Sequence, residues 1–310
     1  MRDVSVVITA YNIEHYIERA VSSALAQKYV DIEIIIVDDC STDNTWSLIS
    51  TMTHPRIRPI RLERNGGPGA ARNAGFAAAS APWIAVLDGD DALEPERLHR
   101  MLARVRDEKA DIVVDNLIAL QERDGMQYPL FPPRTFSRLG TMSLAAFIDG
   151  NRFFLGDRTY GYLKPMFSAD FLRQRGLSYN PNFRVGEDYL LMLEVLACGA
   201  ICSVEPTAGY RYTVRANSVS RQPPFFDSDQ LIACERSLLE RYVLNAEARH
   251  AQRRRESSWR DVRHFSQLLT AMKGRDIGLA LKVVAANPLA ARHIWRPLLR
   301  AARRCASGPR

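Results

Sequence analysis

Residues 86–91 read Val-Leu-Asp-Gly-Asp-Asp, so Asp88, Asp90 and Asp91 crowd together after an apolar run. Carboxylates so close repel one another. A hard divalent cation, Mg²⁺ or Mn²⁺, relieves that repulsion when one or two carboxylates hold it beside substrate phosphates. The same turn could instead be a solvated helix cap. Asp38-Asp39 closes a second apolar run. An acid there could accept from a ring N–H or a ribose hydroxyl of a nucleotide, or could cap and turn the chain. Residues 64–73 join a glycine loop to a helix start and end in Arg72-Asn73. Backbone N–H groups and the helix dipole favour an anion at such a place, and Arg72 adds a planar fork suited to phosphate. Gly186-Glu187-Asp188 puts two acids at another helix start. They could serve the dipole, or one could be a general base that takes a proton from a hydroxyl.

These residues need a scaffold, and the spacing of apolar residues predicts one. Residues 4–10, 32–37, 57–62, 83–87 and 111–116 are short apolar runs that read as buried strands. Residues 14–27, 43–52, 70–80 and 95–107 carry helical spacing between them; Ile17, Ala20, Val21, Ala24 and Leu25 show it in the first. Gly66–Gly69 reads as a loop. Strands alternating with helices predict βαβ units and a largely parallel sheet, which binds ligands outside the C-terminal ends of its strands. That rule points at residues 9–12, 38–41, 64–73 and 88–91. Residues 121–138 read as a loop leading to a second half, with helices expected over 143–149, 168–175, 187–198 and from 229 onward, 238–270 being continuous.

The chain has 310 residues and a formal net charge of +7, but the charge is uneven. Residues 241–310 hold 16 Lys+Arg against 4 Asp+Glu, which leaves the first 240 mildly acidic. A nucleic-acid-binding domain would not confine its charge in this way, so no nucleic acid partner is expected. The tail carries Arg253-Arg254-Arg255 and later mixes Trp295 and leucines with arginines. A basic amphipathic segment with Trp suits an anionic membrane surface; a solvated extension or a protein contact is the other reading. Cysteines 40, 198, 202, 234 and 305 form no framework or metal-ligand spacing, which fits a reducing compartment. No signal peptide is expected at the start, and the longest apolar stretch, 13 residues over 190–202, is too short to span a bilayer.

Together these segments resemble glycosyltransferase family 2, the inverting nucleotide-sugar transferases. The matching pieces, in the family's order, are residues 4–12 (VSVVITAYN), 34–45 (IIIVDDCSTDNT), 65–75 (NGGPGAARNAG), 86–91 (VLDGDD), 163–171 (LKPMFSADF) and 186–191 (GEDYLL). Residues 210–220 resemble the family's Y-R-x-R-x-x-S-x-S stretch. Residues 150–167 are similar to bacterial exopolysaccharide transferases of the succinoglycan type. One departure is Lys164-Pro165-Met166-Phe167 where the family often has Lys-Leu-Phe; proline alters the local backbone and leaves the position of Lys164 open.

The resemblance implies an α/β, GT-A (Rossmann-like) fold: a mixed, mostly parallel sheet flanked by helices. The transferase domain would span 1–240, with a nucleotide-binding half over 1–120 and an acceptor half over 121–240. Residues 241–310 would form a basic helical extension. Thr9, Tyr11 and Asp39 would hold the uracil and ribose of a UDP-sugar, with Asp38 in support and Arg72 and Asn73 near the base or diphosphate. Asp88 and Asp90 resemble the D-x-D pair, Asp88 toward ribose or sugar and Asp90 toward Mn²⁺ or Mg²⁺, with Asp91 a neighbouring candidate. Asp188 resembles the catalytic base and Glu187 its orienting partner, while Arg211 and Arg215 would neutralise the leaving diphosphate. UDP-glucose is the donor expected. The acceptor expected is a lipid-linked saccharide in exopolysaccharide synthesis. The place expected is the cytoplasm, peripheral at the inner face of the plasma membrane. Two alternatives remain at this point: a nucleotidyltransferase on a related sheet, and a silent module that binds nucleotide-sugar or membrane.

Overall fold

The computed structural model describes residues 2–153, 159–215 and 228–288. The first half runs β1 (Val4–Ala10), α1 (Ile17–Leu25), β2 (Ile32–Asp38), α2 (Thr45–Ser50), β3 (Ile57–Arg61), α3 (Gly67–Ala78) and β4 (Trp83–Asp88). Then come β5 (Ala92–Leu93), α4 (Arg97–Glu108), β6 (Ile112–Gln121), β7 (Gln127–Pro129), α5 (Pro133–Leu139) and α6 (Leu144–Gly150). A 3₁₀ turn at Tyr160–Tyr162 leads to β8 (Met166–Ser168), α7 (Ala169–Arg175), α8 (Glu187–Ala197) and β9 (Cys202–Val214). Helices α9 (Ser228–Leu239), α10 (Ala246–Lys273) and α11 (Ile277–Ala286) complete the described chain.

The sheet has the order β3-β2-β1-β4-β8-β6-β9-β5, with β7 on β6. Strands β3, β2, β1 and β4 are mutually parallel, and β9 is parallel to β6. The short β8 lies antiparallel between β4 and β6. Val4, Val6, Val7 and Ile8 of β1 and Ile34, Ile35 and Ile36 of β2 are fully buried, as helices cover both faces of the sheet. Helix α1 buries Ile17, Ala20, Val21 and Ala24, four of the five residues whose spacing predicts it.

The expected βαβ half is present, with α1, α2 and α4 shorter than expected. Helix α3 starts at Gly67 and so takes in most of the expected glycine loop. Pro68 in the first turn presets a helical φ, and the carboxylate of Asp39 receives the N–H groups of Gly66 and Gly67. The loop expected over 121–138 contains β7 and α5, and β6 runs on to Gln121. Strand β9 was not expected, because Pro206 and Gly209 interrupt its pattern; the register with β6 shifts between Asp115 and Leu117 to absorb them.

The continuous helix expected over 238–270 breaks into α9 and α10, with Asn245 capping the second through Ala248 N–H. The expected division at 240 falls in this turn. Helix α10 buries Ala251, Arg255, Trp259, Val262, Phe265 and Leu268. Of the basic triplet, Arg254 pairs with Asp149 of α6. Arg255 is 2% exposed. It pairs with Glu235 at 2.8 Å, stacks over Tyr189 at 4.1 Å and donates to the carbonyl of Asn151. These two arginines hold helices together, Arg255 from the interior and Arg254 at the surface. Trp295 and the later arginines lie outside the described residues.

Candidate active site

The C-terminal ends of β1, β2 and β4 meet along one edge. Thr9 stands opposite Asp88 in register, and Ala10 opposite Asp38. Tyr11, just beyond β1, is exposed. The turn after β4 then doubles back on Thr9, whose carbonyl accepts Gly89 N–H at 3.0 Å. A β-carbon at Gly89 would lie 2.3 Å from Ile13 Cδ1 and 2.8 Å from that carbonyl, so only glycine fits between Asp88 and Asp90.

Asp88 is the hinge of a buried charge cluster. Arg72 on α3 reaches Asp88 at 2.8 Å, Glu187 at 2.8 Å and Asp188 at 2.9 Å. Its guanidinium also lies over the Tyr179 ring at 5.1 Å. Lys164 Nζ lies 2.8 Å from Asp88 Oδ2 and 2.8 Å from Asp188 Oδ2. Three carboxylates thus share two cations, both almost fully buried. Burial alone would raise the Asp88 carboxyl, but Lys164 and Arg72 outweigh it and hold the group well below its ordinary range. Glu187 goes the other way. Burial, then the neighbouring Asp188 charge, push it up to about 7 against the pull of Arg72.

Lys164 is the principal residue that the candidate set omitted. The proline beside it explains how it gets there. The Pro165 carbonyl accepts Val86 N–H at 3.4 Å, and the Lys164 carbonyl accepts from Arg97 Nη2 at 2.5 Å. Arg97 is itself clamped by Asp115 at 2.9 and 2.8 Å. The chain enters β8 at this point without needing an N–H from residue 165. The Lys-x-x-Phe resemblance was the available signal. Tyr179, the platform for Arg72, carried none.

The other acids have different neighbours. Asp91 is 1% exposed and turned inward. It accepts from Tyr210 Oη at 2.8 Å and from Thr213 N–H at 2.7 Å, while Tyr210 Oη accepts Asp88 N–H at 3.0 Å. Both its oxygens serve to fasten the turn to β9, a geometry that does not fit the metal role considered for it. Burial, with Asp90 and Asp88 nearby, pushes its carboxyl well up. Asp90 is half-buried and pairs with Arg215, whose guanidinium lies 4.9 Å from the Tyr16 ring centroid. Burial and the Asp88 charge raise the Asp90 carboxyl as well. Arg211 pairs instead with Glu94, so the structure separates the two arginines. Residues 216–220 of the Y-R-x-R-x-x-S-x-S stretch, and 154–158 of the middle section, lie outside the described residues.

On the β2 side, Asp38 is fully buried, with Ser41 N–H at 3.2 Å and Arg61 Nε at 3.4 Å on Oδ2. Its Oδ1 has no hydrogen-bond partner among the described residues. Asp39 caps α3, accepting Gly66 N–H at 2.7 Å and Gly67 N–H at 2.8 Å. The anion expected at this helix start is therefore the chain's own carboxylate, which is held there by the same dipole that would attract phosphate. Asn73 exchanges two hydrogen bonds with the Tyr179 backbone, at 2.8 and 2.9 Å, so its amide positions the Arg72 platform.

Among the described residues no cluster of three or more His, Cys, Asp or Glu is placed to hold a metal ion. Asp90 nevertheless suits a cation: its carboxylate already holds one positive group, and burial beside Asp88 makes another welcome. Mg²⁺ and Mn²⁺ sites commonly use one or two carboxylates and take remaining ligands from substrate phosphates. Among the described residues no helix is long and apolar enough to cross a membrane.

Comparison with known proteins finds relatives in both sequence and fold. The chain is 43% identical over 305 residues to the succinoglycan biosynthesis protein ExoO of Rhizobium meliloti, covering 98% of this chain and 87% of ExoO. A shorter match, 45% over 91 residues, covers 29% of this chain and 36% of the Escherichia coli UDP-Glc:alpha-D-GlcNAc-diphosphoundecaprenol beta-1,3-glucosyltransferase WfaP. In fold it is similar to S. aureus TarS 1-349 in complex with UDP-GlcNAc, with a TM-score of 0.67 at 20% identity over 93% of this chain and 81% of that one. Residues 5–169 match glycosyl transferase family 2, and the chain belongs to that family as a glycosyltransferase.

Proposed function

We propose that the protein moves a sugar, with inversion, from a UDP-sugar to a hydroxyl of a saccharide. One observation carries the reading. Arg72 and Lys164 tie Asp88, at the end of the nucleotide-side strand β4, directly to Asp188 at the start of α8. A donor group held by Asp88 and an acceptor hydroxyl on Asp188 would then be neighbours in one rigid cluster.

In this reading Thr9, Tyr11, Asp38 and Asp39 border the nucleoside, Oδ1 of Asp38 being an acceptor in want of a donor. Asp188 takes the proton of the acceptor hydroxyl as it attacks the anomeric carbon, and UDP departs from the opposite face. Glu187 accepts from Arg72 Nη1 and keeps that guanidinium aimed at Asp88 and Asp188. Arg215 meets the charge growing on the diphosphate once it leaves Asp90. Asp90, with Asp88 behind it, would hold Mn²⁺ or Mg²⁺, which when bound supplies Lewis-acid stabilisation of that charge.

UDP-glucose as donor and a lipid-linked saccharide as acceptor, in exopolysaccharide synthesis at the inner face of the membrane, are the finer expectation. The match to ExoO and the UDP-Glc-dependent glucosyltransferase activity of WfaP support it. The test is UDP release from UDP-glucose in the presence of Mn²⁺ and membrane extract. Asp188→Asn should abolish transfer and nearly spare UDP binding measured by calorimetry. Loss of UDP binding with an unchanged rate per bound donor would remove Asp188 from the role of base.

A further inference from the structure

Helix α11 is apolar all round. Its sequence, IGLALKVVAA, contains one charged residue, Lys282. Asp276 caps its start through Leu279 N–H at 2.8 Å, and Asn287 ties its end to Asp261 of α10 at 2.9 Å. The face toward α10 buries Val283. The opposite face carries Ile277, 74% exposed, and Leu281, 66% exposed, one turn apart, with Ala285 a turn further on and Lys282 beside them. Met272, at the end of α10, is 52% exposed nearby in sequence. A helix with apolar residues on every side is ordinarily covered on every side.

The charge of the helix and of the sequence that follows it says what covers this face. From residue 277 to 310 the chain holds seven Lys+Arg and not one Asp or Glu. Six of those are arginines in the 22 residues that follow the described end of the chain. Lys273, Arg275 and Lys282, at the ends and on the side of this helix, are exposed and make no ion pair among the described residues. A second copy of the chain would bring like charge against like. Apolar side chains among cations, with the neighbouring Asp276 engaged as the helix cap, match an anionic bilayer interface, where the apolar face sinks below the headgroups and the cations meet phosphate.

We propose that α11 is a membrane-docking helix whose outer face, Ile277, Leu281 and Lys282, enters an anionic lipid surface. The proposal deepens the reading of a lipid-linked acceptor by naming the surface that brings the enzyme to it. The full chain should sediment with phosphatidylcholine vesicles containing about a third phosphatidylglycerol. It should bind pure phosphatidylcholine at least tenfold more weakly. The double variant Ile277→Ser/Leu281→Ser changes only exposed positions and leaves every charge in place; it should lose tenfold or more in binding to the anionic vesicles. Equal binding by variant and wild type would overturn the proposal, because charge alone would then suffice. So would equal affinity for neutral vesicles, or a wild-type dimer that the double variant turns into a monomer. UDP release to a water-soluble acceptor is read separately. Vesicle binding without any sugar transfer would sink the catalytic reading and leave the docking helix standing.

Discussion

Glu187 offers a test of the charge cluster that does not depend on knowing the acceptor. Its carboxyl is 6% exposed, accepts from Arg72 Nη1 at 2.8 Å and is pushed up to about 7 from an ordinary value of 4.5. A carboxyl raised on folding binds its proton more tightly in the native state than in the unfolded chain. Between those two values the native state therefore holds more protons, and stability falls as pH rises. The full cost is present above pH 7 and amounts to about 3 kcal/mol. Below pH 4.5 it vanishes. Glu187→Gln keeps an oxygen for Arg72 and removes the charge, so the variant escapes the cost. Relative to wild type it should gain about 3 kcal/mol between pH 4.5 and pH 8. With an unfolding entropy of about 2.1 cal/mol/K per residue over 310 residues, that corresponds to a Tm difference wider by about 4–5 °C at the higher pH. Thermal melts of both proteins at the two pH values provide the assay. A constant offset from the new amide would not matter, because only the change with pH is diagnostic. A difference that stays flat would refute the reasoning. One that moves against the variant would show that Arg72 dominates and that Glu187 is the ionised, stabilised member of the pair.

Two further outcomes separate the acids of the Asp-rich turn. Asp91→Asn puts an amide where two donors converge, Tyr210 Oη and Thr213 N–H, and should cost about 1–3 kcal/mol of stability while leaving the Mn²⁺ concentration for half-maximal UDP release unchanged. Asp90→Asn should do the reverse, with a Tm near wild type and a metal requirement raised at least tenfold; identical metal titrations for Asp90→Asn and wild type would count against Asp90 as a ligand. Gly89→Ala drives a methyl toward Ile13 and the Thr9 carbonyl. It should cost about 1–3 kcal/mol by overpacking and lower activity along with Tm, and a melt unchanged within 1 °C would show that the turn can yield.

The edge where the strands' polar ends gather was legible because a parallel sheet leaves little choice. Apolar runs of five to seven residues fix buried strands, and short connections put their polar ends on the same side. Thr9, Asp38 and Asp88 follow from that alone. What the pattern does not show is which polar group at an end is already spoken for. Asp39 reads as either a ligand group or a cap and the glycine run as an anion site, and they satisfy one another across 27 residues. Asp91 looked like its neighbours in sequence, but the turn rotates it by one position into the core, where β9 supplies its donors. That strand was itself hidden by Pro206 and Gly209.

The basic residues show the same limit more sharply. A run such as Arg253-Arg254-Arg255 reads as a patch, but a helix sends consecutive residues about 100° apart; Arg255 turns inward to Glu235, and Arg254 is held at the surface by Asp149. Lys164 stands alone in a hydrophobic stretch, with nothing in its spacing to pair it with Asp88, 76 residues earlier, or Asp188, 24 later. Only the fold brings those three together. Once it does, Lys164 and Arg72 couple strand β4, proposed to hold the donor, to helix α8, proposed to carry the base. Displacement of β4 relative to α8 would stretch two ion pairs at each of Asp88 and Asp188, all at 2.8–2.9 Å. In a buried site a broken pair leaves an uncompensated charge, so the cluster resists any motion that would part donor from acceptor.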